Sequence, residues 1–66
     1  MNLILNGEPR ALDPDTSLER LLELAGYAGR RVAVEVNREI IPRSRHASHR
    51  LRDGDRVEIV HAIGGG

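Results

Sequence analysis

The chain has 66 residues, with ten arginines, no lysine, no cysteine and ten carboxylate side chains, for a formal net charge of zero. That length holds one domain that buries only about 60% of its unfolded surface, and without cysteine no disulfide or thiolate metal site reinforces it. Neutrality argues against generic attraction to nucleic acid or an anionic membrane. No apolar run approaches the roughly 20 residues of a membrane span. The opening MNLILNGEPR lacks the pattern of a signal peptide, so a soluble cytoplasmic protein is expected.

The first element is a short strand over Asn2–Asn6, followed by Gly7 as a turn signal. Its alternation points Met1, Leu3 and Leu5 one way and Asn2, Ile4 and Asn6 the other. A second strand around Arg10–Leu12 closes a hairpin. In DPDTSLERLLELAGY, Thr16 and Glu19 have the spacing of a capping box. Leu18, Leu21, Leu22 and Ala25 then form one helical stripe, and Gly26 stands where a left-handed residue ends a helix.

Val32, Val34 and Val36 alternate as a half-buried strand. Asn37-Arg38 turns into a short piece, Glu39–Ile41, which Pro42 ends. PRSRHASHR reads as irregular. Asp53-Gly54-Asp55 signals a tight turn before a last strand from Arg56 to Ala62 or Ile63, with Val57, Ile59 and His61 on one face. One helix covers one face of a sheet, so the fold class is α+β with two layers. The expected core is Leu3, Leu5, Leu18, Leu21, Leu22, Val32, Val34, Val36, Leu51, Val57 and Ile59.

Chemistry-bearing clusters are few. His46 and His49 have H-x-x-H spacing and His61 is a third histidine, but a zinc site wants more ligands than this irregular segment offers, so surface histidines and no metal are expected. The run Arg43–Arg52 holds four arginines and two histidines without an acid. With Tyr27 the only aromatic of the Phe, Trp and Tyr class, it lacks the stacking platform of a single-strand binder. A solvated loop or a contact for an acidic partner surface fits it better. Asp13, Asp15, Asp53 and Asp55 sit in turns, where aspartate makes local hydrogen bonds. No nucleophile–base pair is visible, so the chain is not expected to be an enzyme.

The order of elements resembles the ubiquitin-like β-grasp fold, a mixed sheet of four to five strands with one main helix on one face. VEVNREIIPRSRH and LRDGDRVEIVHAIGGG resemble the ThiS family, the sulfur-carrier proteins of thiamine biosynthesis, in the DGD turn, the last strand and the diglycine that follows it. The family often has an aromatic residue near the position of His46, which this chain lacks.

The resemblance implies a β-grasp domain over residues 1–63 and a flexible glycine tail over 64–66. It implies that the carboxylate of Gly66 is adenylated and then converted to a thiocarboxylate, which gives its sulfur to the thiazole ring. Gly65 and Gly64 would let the tail enter a partner's cleft, since residues without Cβ take whatever backbone angles the cleft imposes. The implied partners are an adenylating, E1-like enzyme that uses ATP, thiazole synthase, and a sulfur donor such as a cysteine desulfurase. No cofactor is expected on this chain itself.

A partner-docking surface is expected on the open sheet face, from Ile4, Ala33, Val60, Ala62 and Ile63, with Ile4, Val60 and Ala62 as one apolar patch. Two other readings stand beside this one: a sulfur carrier for molybdopterin or amino-acid synthesis, and a noncovalent β-grasp interaction module.

Overall fold

The structure, a computed structural model, describes residues 1–61. The expected continuation of the last strand into Ala62 or Ile63, and the tail over 64–66, lie outside the described residues. The elements are β1 (Asn2–Leu5), β2 (Glu8–Ala11), α1 (Leu18–Leu24), β3 (Val32–Val36), β4 (Glu39–Ile40) and β5 (Arg56–His61), with a 3-10 turn at Arg43–Arg45 before β5. They form one five-stranded sheet in the order β2-β1-β5-β3-β4. The pair β1–β5 is parallel; the other three pairs are antiparallel.

Both hairpins use two-residue turns. Leu5 pairs with Glu8 across Asn6-Gly7, and Val36 pairs with Glu39 across Asn37-Arg38. All four turn residues have positive φ, at 49° and 83° in the first turn and 51° and 69° in the second. That is the requirement of a type I′ turn, whose twist matches the flanking strands. So tight a first turn puts the start of β2 at Glu8, two residues before the expected Arg10.

Helix α1 begins one residue later than the capping box suggested. Ser17 is the N-cap, and its Oγ accepts from the Arg20 amide at 3.1 Å. Thr16 instead donates its hydroxyl to the Asp13 carbonyl at 2.6 Å, closing the preceding turn. The two remaining first-turn amides, Leu18 and Glu19, donate to the carbonyls of His49 and His46 at 2.9 and 3.0 Å. The segment after Pro42, expected to be irregular, is thus an ordered cap on the start of the helix. At the other end Gly26, with φ +87°, donates to the Glu23 carbonyl and Tyr27 donates to the Leu22 carbonyl. This is a Schellman closure with glycine in its left-handed position, as expected.

The core lies between α1 and one sheet face. Leu18, Leu21 and Val57 are fully buried, and Leu3, Leu5, Leu22, Val34, Val36, Leu51 and Ile59 join them. Burying a Val or Leu side chain contributes about 1.5–3 kcal/mol, so these ten residues carry most of a small domain's stability. Val32, expected inside, is half-buried and packs on the margin of this cluster. Three buried residues were not expected, the first being Thr16 at 8% exposure. Ile41 sits at 6% exposure, and His46, read as a surface histidine, is also at 6%. The His46 ring donates through Nε2 to the Ile41 carbonyl at 2.9 Å. No helix is long and apolar enough to cross a membrane among the described residues.

Candidate functional site

The site is the pole of the sheet at which β5 ends. β5 is the third of five strands, flanked by β1 and β3, so His61 lies in the middle of the sheet rather than at an edge. The strand is fixed on both sides. Along β3, five residues from Val57 to His61 pair with Val36 back to Val32. Along β1 the ladder stops at Leu5–Val57, and there the Asn6 side chain takes over: its Oδ1 accepts from the Ile59 amide at 2.8 Å. Asn37 does the equivalent at the start of the strand, its Oδ1 accepting from the Arg56 amide at 2.9 Å.

The DGD turn feeding β5 is held by its aspartates. Asp55 accepts from the Arg52 amide and from the Asn37 side chain, at 2.8 and 3.0 Å. Asp53 accepts from the Asn2 amide at 2.6 Å. These carboxylates make the turn bonds expected of them. At the far end, His61 is exposed and its ring lies against Tyr27, with centroids 5.6 Å apart and planes tilted by 47°. Tyr27 is the residue that closes α1, so the helix and the end of β5 meet at this pole.

Of the expected docking residues, Ile4, Ala33 and Val60 can be placed; Ala62, Ile63, Gly64, Gly65 and Gly66 lie outside the described residues. Ala33 and Val60 are directly paired across β3 and β5, and Val60 is 58% exposed. Ile4 is half-buried and pairs with Arg56 and Pro9. Val60 is four residues further along β5, about 13 Å at 3.3 Å per residue. One apolar patch joining Ile4 to Val60 is therefore not formed; the charged Arg56 and Glu58 share that face between them. The expectation of adjacency fails because strand order alone leaves register open. Ile40 is 69% exposed on β4, paired with Glu35, and adds an apolar group on the β3 side that the sequence reading missed.

His46 faces inward and His49 is half-buried, so the H-x-x-H pair does not converge on a common point at the surface. Among the described residues, no group of three or more His, Asp or Glu side chains lies close enough to hold a metal ion.

A mixed sheet in this order, with one helix across one face and the last strand at its centre, defines a ubiquitin-like β-grasp protein. Within that class the chain belongs to the ThiS family, whose model matches residues 3–66. It is 44% identical over 62 residues to the sulfur carrier protein ThiS of Thermus thermophilus, covering 94% of this chain and 95% of that one. It superposes on the crystal structure of the thiamine biosynthesis protein ThiS of Geobacter metallireducens with a TM-score of 0.86, at 35% identity and full coverage of both chains. It is also 47% identical over 66 residues to a thiazole synthase of Paramagnetospirillum magneticum, and the chain spans only 20% of that enzyme's length. A ThiS-like stretch thus occurs inside a thiazole synthase.

Proposed function

We propose that this chain is a sulfur carrier protein of thiamine biosynthesis, and that its working group is the carboxylate of Gly66. The observation that carries this reading is the family match, which runs through to Gly66 itself. An ionised carboxylate is a poor electrophile. An adenylating, E1-like partner makes it reactive: a carboxylate oxygen attacks the α-phosphate of ATP, pyrophosphate leaves, and an acyl-adenylate remains. A persulfide on a donor such as a cysteine desulfurase then adds through its terminal sulfur to the acyl carbon and expels AMP, and a thiol attacks the inner sulfur of the resulting acyl disulfide, which releases the thiocarboxylate and leaves a disulfide behind. The thiocarboxylate so formed donates its sulfur during thiazole formation.

The residues of this chain serve delivery. Gly64, Gly65 and Gly66 form a stalk without Cβ atoms, suited to a narrow cleft. With Ala62 and Ile63 it spans about 16 Å when extended, at 3.3 Å per residue. The open face near Ala33 and Val60, at the same pole, is the surface on which a partner would seat. Thiazole synthase is the favoured recipient over enzymes of molybdopterin or amino-acid synthesis, because the relatives named for an enzyme are thiazole synthases. The chain needs no bound cofactor for this role, since ATP is consumed by the adenylating partner.

The test is ATP–pyrophosphate exchange by the cognate adenylating enzyme. Exchange that depends on this chain, and is lost when Gly65-Gly66 is deleted, supports the reading. Exchange indifferent to the deletion would instead favour a noncovalent interaction module.

A further inference from the structure

Beside the end of β5 lies an open groove of about 590 Å³. Helix α1 supplies Leu22, the loop after it supplies Tyr27, Arg30 and Arg31, and β3 supplies Val32; Arg43 comes from the 3-10 turn. The groove abuts the root of the tail, since Tyr27 stacks on His61 and Val32 pairs with it.

Its charge is uneven. Arg30, Arg31 and Arg43 are all exposed, and none has a carboxylate partner among the described residues. Two acids also line the groove, Glu19 and Glu23. Glu23 is paired with Arg20 at 3.3 Å, which leaves three guanidinium groups against the single carboxylate of Glu19. Leu22, Tyr27 and Val32 give the same groove an apolar component. Planar guanidinium groups bind carboxylates through paired hydrogen bonds, and an apolar centre with a charged rim is the anatomy of a protein contact.

We propose that this groove receives an acidic segment of the adenylating partner, with carboxylates held by Arg30, Arg31 and Arg43 and an apolar side chain seated on Leu22, Tyr27 and Val32. The proposal rests on the carrier reading and extends it to a second contact, on the helix side of the sheet. The anion belongs to the partner protein rather than to its nucleotide. Five residues separate His61 from the Gly66 carboxylate, about 16 Å when extended. A tail stretched into the active site therefore holds the ATP phosphates away from the groove. Docking there would fix how the tail points into the cleft, and the exposed arginines would speed capture of a carrier that must be released again.

The experiment measures adenylation by the cognate enzyme for the wild type, the double reversal Arg30→Glu/Arg31→Glu, and Arg43→Glu. Arg38→Glu is the control, an exposed arginine outside this groove. The double reversal should raise KM by about tenfold or more with kcat within about twofold, and higher salt should shrink the difference. Arg43→Glu should raise KM in the same direction, and Arg38→Glu should leave it within about twofold. The proposal is overturned if the double reversal and the control shift KM equally, if neither shifts it, or if kcat falls while KM holds. Wild type that supports no adenylation at any concentration would sink the carrier reading instead. Fluorescence-anisotropy binding of the same variants to the enzyme then decides the groove alone: weakened or lost binding of the double reversal supports it, and binding of the double reversal equal to that of the wild type overturns it.

Discussion

Asn6 performs two tasks that substitution can separate. Its backbone holds a φ of +49° in the first hairpin turn, and its Oδ1 accepts the Ile59 amide at 2.8 Å where β1 has run out. A net hydrogen bond contributes about 0.5–1.5 kcal/mol. Left-handed backbone costs a residue such as alanine about 1–2 kcal/mol, a cost that asparagine largely escapes. Asn6→Ala forfeits both and should destabilise by about 2 kcal/mol. Asn6→Gly loses the acceptor but tolerates the angle, so its loss should be about 1 kcal/mol. Asn6→Asp keeps an acceptor and a tolerant backbone and should be nearly neutral.

For a domain of this size about 1 kcal/mol moves Tm by roughly 4–8 °C, so the three variants separate clearly in thermal melts and in urea midpoints at constant m. Hydrogen exchange at Ile59 should accelerate in the Ala and Gly variants and stay slow in Asp. Equal loss in Gly and Ala would remove the backbone contribution. Equal loss in Asp and Ala would show that the side chain is not the acceptor that holds β5.

Other substitutions follow from the same structure. Arg38 occupies a left-handed turn position at φ +69°, so Arg38→Gly should raise stability by about 1 kcal/mol, read as an upward shift of the urea midpoint. Ser17→Ala should lower stability by about 1 kcal/mol through loss of the N-cap. His46→Ala removes a ring at 6% exposure and leaves the Ile41 carbonyl without its donor, so a loss of about 2–4 kcal/mol is expected in denaturant titration. Gly66→Ala should leave the melting temperature unchanged while abolishing thiocarboxylate formation, a combination that thermal melts and intact mass together reveal.

The parts of the fold legible in the sequence were those written as periodicity. Ten of the eleven expected core residues are buried, and nine of these lie on the leucine stripe of α1 and the alternating faces of β1, β3 and β5, because burial on one face imposes a fixed period. Val32 missed only by lying at the rim. The errors fell where geometry depends on a single residue or on partners distant in sequence. Thr16 and Ser17 both fit a cap, and only the preceding turn, which takes the Thr16 hydroxyl, leaves Ser17 for the helix. His46 looked like surface because its segment has no period; its burial follows from the Ile41 carbonyl and from the Glu19 amide that its own carbonyl accepts. The Ile4–Val60 patch required a parallel register that neither strand encodes locally. The groove at Arg30, Arg31 and Arg43 joins segments more than ten residues apart, and only the packed structure brings them together.

The central claim is that sulfur rides on the last glycine, and mass spectrometry of the intact chain tests it most directly. After incubation with the adenylating enzyme, ATP and a sulfur donor, the chain should gain the mass of one oxygen exchanged for one sulfur, with fragmentation placing the change on Gly66. Omitting the donor should leave only the adenylate or unchanged protein. A chain that binds the enzyme yet keeps its mass, or takes up sulfur at any residue other than Gly66, would contradict the account.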